Sequence, residues 1–290
     1  MLFRSVDHIV IADPSEHHQT FAEEFNASYV TPAPSLTLEM PARAPMPNDE
    51  RRLIAARAAD ELREGMIVNL GIGMPEGVAR IAAERNLIKQ LLLTVESGPI
   101  GGVPAGGLSF GASAHPQAIV DQTSQFDFYD GRGLDLTALG LAQLDALGNV
   151  NVSKFGSRVA GVGGFVNISQ SARTVIFCGT FTAGDLQVAI EDGKLRILKE
   201  GPIAKFLPRV EQVSFSAKRS RELHQRVLYV TERAVFQLTD QGVELIEVAP
   251  GIDVQTQVLA LMPFAPIVRQ VRPMPLHVSS VATARASSIV

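Results

Sequence analysis

Leu91-Leu92-Leu93-Thr94-Val95-Glu96-Ser97-Gly98-Pro99-Ile100-Gly101-Gly102 decides the fold. An apolar run halts at a carboxylate and then breaks into glycine and proline, which reads as a buried strand ending in a turn. Upstream, Met66-Ile67-Val68-Asn69-Leu70 is a second apolar run, closed by Gly71-Ile72-Gly73-Met74-Pro75. Between the two, Glu76 to Asn86 carries Val78, Ala79, Ile81 and Ala82 at helical spacing, and Pro75 suits a first helical position. Strand, turn, helix and strand make a βαβ unit, so the expected fold is α/β with an open, mostly parallel sheet. Ligands of such sheets bind past the carboxyl ends of the strands. Glu96 and the Gly71–Pro75 turn therefore share the edge where chemistry is expected. Gly71 and Gly73 permit a tight turn that exposes backbone N–H groups to a ligand.

Composition narrows the function classes. The chain has 290 residues, 46% hydrophobic and 19% charged, with a net charge of −4, and it has no Lys/Arg block that would suit nucleic acid. It shows no signal peptide and no apolar run long enough to span a bilayer, so a cytoplasmic protein that binds neither nucleic acid nor membrane is expected. The single cysteine, Cys178, lies in an apolar run and founds neither a disulfide framework nor a metal cluster. The six histidines lack ligand spacing. Asp127, Asp130 and Asp135 read as caps and turns, so no metal is expected. Neither a Walker A motif nor G-x-G-x-x-G occurs, which removes nucleoside triphosphates and NAD from consideration.

Organisation follows from the remaining signals. Val6–Ala12 reads as a strand and is followed by a polar stretch. Then comes a stiff proline-rich hinge with Pro32, Pro34, Pro41, Pro45 and Pro47. Asn48 is the expected N-cap of a helix reaching Glu64, with Gly65 closing it. Leu139–Asp145 with Val150–Phe155, and Leu186–Ile190 with Leu195–Leu198, read as hairpins, the second turning at Asp192-Gly193. Thr174–Thr180, Val227–Val230, Ala234–Leu238 and Val243–Val248 read as strands, and Asp253–Met262 as a last helix. The tail after Pro263 is expected to be irregular. The divisions drawn are residues 1–47, 48–266 and 267–290.

At this point the residues resemble a family, the class I (family I) CoA-transferases of the acetate/propionate and 3-oxoacid type. More closely, the resemblance is to the long single-chain short-chain acyl-CoA transferases in which an α-like and a β-like half are fused. The phrases that carry it are Asn69-Leu70-Gly71-Ile72-Gly73-Met74-Pro75, Glu96-Ser97-Gly98, Gln125-Phe126-Asp127-Phe128-Tyr129-Asp130-Gly131, Gly148-Asn149-Val150-Asn151-Val152-Ser153, Gly161-Val162-Gly163-Gly164-Phe165, Thr231-Glu232-Arg233-Ala234-Val235-Phe236 and Ala249-Pro250-Gly251-Ile252-Asp253. The likeness runs from Val6 to about Pro266. Arg132 departs from it, standing where a third glycine is usual.

The resemblance implies a sheet of the CoA-transferase (NagB/RpiA-like) type with a β-rich elaboration. It also implies reversible transfer of CoA between short-chain carboxylic acids such as acetate, propionate, butyrate or acetoacetate. By position Glu96 is the nucleophile of a ping-pong route through a glutamyl-CoA thioester. Gly163 and Gly164 are the candidates for an oxyanion-binding main chain. Gly71, Gly73, Ser97 and Gly98 are the candidates for CoA binding or for support of the nucleophile. Coenzyme A is then a substrate, with no permanently bound cofactor. The implied partners are acyl-CoA, a carboxylate, an α-like half or subunit, and further copies of the chain in a homo-oligomer. The long members carry a whole α-like half before the linker, and the opening Met1-Leu2-Phe3-Arg4-Ser5 resembles a translated sequencing adapter rather than the family. An N-terminally truncated reading frame, with Met1 an artefact, is therefore expected. Two alternatives stay open: an acyl-CoA hydrolase, and an inactive β-like half whose role is assembly with an α-like partner.

Overall fold

The computed structural model describes residues 7–32 and 45–278. Ten strands form one sheet: β1 Ile67–Leu70, β2 Leu92–Thr94, β3 Pro99–Ile100, β4 Ala118–Ile119, β5 Leu136–Gly140, β6 Thr174–Cys178, β7 Arg226–Val230, β8 Ala234–Thr239, β9 Gly242–Val248 and β10 Ile267–Pro273. Their spatial order is β10-β9-β8-β7-β6-β5-β1-β2-β3-β4. The central neighbours β2-β1-β5-β6-β7 are all parallel. Antiparallel strands flank them on both sides, β3 and β4 beyond β2, and β8 and β9 beyond β7.

The βαβ unit read from the sequence is present. Ile67 pairs with Leu92 and Asn69 with Thr94, with helix α2 (Glu76–Glu84) between the strands. Asn86 stops the chain's helical course by taking a positive φ of 59°. Helix α1 runs from Glu50 to Ala59, and its cap is Asp49, whose carboxylate accepts from the Arg52 N–H, rather than Asn48. It ends short of Glu64, with Gly65 closing the following turn at a positive φ.

Parallel strands buried on both faces need helices on both sides. Along β6, Val175 and Phe177 face one core, and Ile176 and Cys178 the other. Helices α1 and α2 cover the second face through Leu53, Ile54, Val78 and Ile81. The first face is covered by α3 (Gln122–Asp130), α4 (Phe165–Ser171) and α5 (Ala217–Glu222), through Tyr129, Phe165, Ile168 and Ala217. Arg57 of the buried α1 is tied to the sheet by a two-pronged ion pair, its Nε and Nη2 lying 2.6 and 3.0 Å from the Glu247 carboxylate of β9.

Several local expectations are corrected. Asp7–Ala12 is irregular, and Ile9, Val10 and Ile11 stand exposed; apolar composition makes a strand only where a neighbour completes the ladder. The stretch after Pro263 is not wholly irregular, because β10 adds in parallel to the edge of β9, with Pro273 at its end where a missing N–H is tolerated. The last helix is a single short turn, α6 Val254–Gln257, followed by a 3-10 segment at Leu259–Leu261. Gln143–Asp145 does pair with Val150–Asn151, but Leu139 belongs to the core strand β5. Gln187–Glu191 and Lys194–Lys199 form the second hairpin, as read. Most of the proline-rich hinge lies outside the described residues.

Candidate active site

Strand β2 ends at Thr94, and two residues later Glu96 enters a tight turn. Val95 N–H donates to Pro99 O at 2.9 Å, and Gly98 N–H donates to Val95 O at 3.0 Å. Gly98 has a φ of +126°, and a Cβ there would lie 2.0 Å from the carbonyl oxygen of Val120. Only glycine fits that turn. The exposed Ser97 donates its hydroxyl to the Gly111 carbonyl, tying the turn to the loop beyond it.

The Glu96 carboxylate is half-buried and faces the loop that opens α4. A Cβ on Gly164 would stand 2.2 Å from Glu96 Oε2 and 2.9 Å from Phe126 Cζ; one on Gly163 would be 3.9 Å from Glu96 Oε1. The sheet edge and the Gly163-Gly164 main chain are thus in contact through the carboxylate, although 67 residues separate Glu96 from Gly163 in the chain. Burial pushes the Glu96 carboxyl above its ordinary value, and a backbone hydrogen bond from Gly164 offsets part of that rise.

The other sequence-predicted glycines lie on the same edge but spend their N–H groups within the fold. Gly71 N–H donates to Ala138 O at 2.8 Å, and Gly73 N–H donates to Glu76 Oε1 at 2.8 Å. Glu76 also reaches Gly107 N–H at 3.4 Å, so it joins the first turn to the loop after β3. Asp130 and Asp135 are engaged structurally, by the Asn167 amide and by Ile67 N–H respectively. Arg132 adopts a φ of 65°, which explains why glycine is usual there.

Sequence reading left the residues beneath Glu96 unassigned. Asn69, Thr94, Gln125, Tyr129 and Thr137 form a buried polar cluster between β1, β2, β5 and α3. The available signal was Asn69, a polar side chain inside an otherwise apolar strand. Farther along the edge, Glu232 and Arg233 are fully buried after β7. Arg233 Nε lies 2.6 Å from Glu232, its Nη2 2.9 Å from Glu200, and its guanidinium sits over the Phe181 ring at 4.8 Å.

The chain, with its large, mostly parallel sheet, belongs to the family I CoA-transferases. Within it, the chain is 46% identical over 271 residues to the caffeate CoA-transferase of Acetobacterium woodii, covering 91% of this chain and 51% of the relative. It is 42% identical over 260 residues to the acetate CoA-transferase YdiF of Escherichia coli O157:H7, covering 90% of this chain and 48% of the relative. The crystal structure of the YdiF apoenzyme superimposes with a TM-score of 0.76 over 82% of this chain and 46% of that one. The acetate CoA-transferase subunit beta of Escherichia coli K12 is 31% identical, with 72% of this chain and 89% of the subunit aligned. The chain thus spans about half the length of the long relatives and nearly all of a β subunit. No protein-family model matches it.

Proposed function

We propose that this domain transfers CoA between short-chain carboxylic acids, with Glu96 as the covalent nucleophile. The observation that carries the reading is the half-buried Glu96 carboxylate held against the Gly164 main chain past the end of β2. One Glu96 oxygen attacks the acyl-CoA thioester carbonyl; a C–O bond forms, the C–S bond breaks and CoA thiolate leaves. The thiolate attacks the glutamyl carbonyl of the resulting mixed anhydride and expels the first carboxylate, leaving glutamyl-CoA. An incoming carboxylate retraces both steps and departs as the new acyl-CoA. Partial desolvation suits this chemistry, because a less hydrated carboxylate is the stronger nucleophile.

Each tetrahedral intermediate bears an oxyanion, and we assign its stabilisation to the Gly163-Gly164 main chain. Ser97 and Gly98 shape the nucleophile's turn, and Gly71 and Gly73 shape the floor over which CoA lies. A crystal structure of YdiF, described as a thioester complex with CoA, superimposes on this chain with a TM-score of 0.74 and supports the covalent route. The relatives are named for acetate and for caffeate, so the acceptor is best found with a panel. Incubating the protein with acetyl-CoA and propionate, butyrate, acetoacetate or caffeate should yield the matching acyl-CoA only when acceptor is present. Free CoA and acetate formed without any acceptor would instead identify a hydrolase.

The N-terminal segment favours a second element of the reading, assembly with an α-like half. Ile9, Val10, Ile11, Phe21 and Phe25 are all exposed, with Ile11 and Phe21 above 90%. Apolar residues so concentrated are costly in water and suit a protein interface. We infer that full activity belongs to the assembled enzyme.

A further inference from the structure

We propose that Asn69, Gln125 and Tyr129 are positioning residues that fix the nucleophile's main chain; this rests on the reading of Glu96 given above. The two peptide carbonyls preceding Glu96 are each held by a buried side-chain amide. Asn69 Nδ2 donates to Thr94 O at 3.2 Å, and Gln125 Nε2 donates to Val95 O at 3.2 Å. The second proton of each amide goes to one phenol: Gln125 to Tyr129 OH at 2.9 Å and Asn69 to Tyr129 OH at 3.4 Å. The phenol donates onward to Thr94 Oγ1 at 3.0 Å, and that hydroxyl donates to Val68 O at 3.3 Å. Each side-chain proton of Asn69, Gln125, Tyr129 and Thr94 in these bonds has one acceptor, which sets their direction. The chain of bonds can run only from the amides through Tyr129 into the sheet.

Two further observations tie this cluster to the reaction rather than to the core at large. Gln125 Oε1 is buried without a partner. The Val95 carbonyl can only accept, so turning the amide over would lose that bond, and the bare oxygen is a cost borne for direction. The same helix, α3, carries Phe126, whose ring stacks edge-on against Tyr129 at 5.8 Å and abuts Gly164. One helix face therefore registers the Glu96 turn against the main chain that Glu96 must meet. This gives a task to the Gln125–Gly131 stretch, which otherwise has none in the reaction. A misplacement of about 1 Å at such a contact can cost about 100-fold in rate.

The test is the rate of CoA attachment to Glu96, followed by intact mass after mixing the assembled enzyme with acetyl-CoA, alongside thermal melts. Tyr129→Phe keeps the ring and removes the hub; Gln125→Met keeps the volume and removes one clamp. Each is expected to slow attachment at saturating acetyl-CoA by about 10- to 100-fold, with KM changed less than about threefold. The double variant should be little slower than the slower single one, as for groups acting as a unit. Lowered melting temperature with an unchanged attachment rate in both single variants would overturn the inference and leave a purely structural cluster. If Tyr129→Phe does not fold, Gln125→Met is judged by the same criteria. Failure of the wild type to acquire CoA would sink the Glu96 reading itself, and the inference with it.

Discussion

At the scale of single residues, the account turns on space around one carboxylate. Gly164 is a glycine because its Cβ position is taken by Glu96 Oε2 and by the Phe126 ring. Gly164→Ala should leave the fold intact, since the atoms displaced are the ends of side chains. The Glu96 carboxylate would be pushed out of register, and activity should fall by about 100-fold or more. Steady-state kinetics beside a circular-dichroism melt checks this; a variant of full activity would mean that Glu96 does not work against that loop. The place of Glu96 at the sheet edge was legible in the sequence, from an apolar run ending at a glycine turn, but its role as nucleophile came only from the resemblance of the surrounding phrases. Its neighbour Gly164 could be suggested only by resemblance, since nothing local to residues 161–165 says which strand end they meet.

At the scale of elements, the turn from β7 to β8 shows how the edge is held rigid. Glu232 and Arg233 are sunk there, Glu232 accepting from Phe181 N–H at 2.8 Å as well as from Arg233. Removing one member of a buried pair strands the other, which costs about 3–5 kcal/mol. Arg233→Met should therefore lower the melting temperature by roughly 10 °C, read by calorimetry; a change below about 2 °C would show that the pair is dispensable.

The elements themselves were unevenly legible. β1, α2 and β2 announce themselves through period and punctuation, and the parallel pairing follows from their connection. β10 did not, because Ile267–Pro273 is proline-flanked and mostly exposed, and its strand character comes only from the edge of β9. Asp7–Ala12 erred the other way: its apolar residues suggested a strand, but no ladder partner exists among the described residues. Tyr129 stood in the sequence only as part of a family-like phrase, and the fold reveals two amides converging on its hydroxyl.

At the scale of the whole molecule, one buried cation marks how stability should vary with pH. Lys205 is 8% exposed, and its ammonium lies against Gly179, where a Cβ would come within 2.5 Å of Nζ. Burial lowers its pKa to about 8, with the charges of Glu232 and Cys178 acting the other way. The unfolded chain thus holds this proton more tightly than the native protein does. The associated destabilisation is full below about pH 8 and is relieved as pH rises toward the ordinary lysine value of about 10.4. Lys205→Met should stabilise the protein at pH 7 by ~1–3 kcal/mol and flatten the rise of stability above pH 8. Denaturant titrations at pH 7 and pH 9.5 would show it; a variant less stable than wild type at pH 7 would mean that Glu232 outweighs the burial.

The measurement closest to the central claim is intact-mass spectrometry after brief exposure to acetyl-CoA, for wild type and Glu96→Ala, each alone and with an α-like half. The account predicts a CoA-sized adduct on wild type, formed in the assembled enzyme and absent from Glu96→Ala. An adduct that survives Glu96→Ala, or none on folded, assembled wild type, would contradict it.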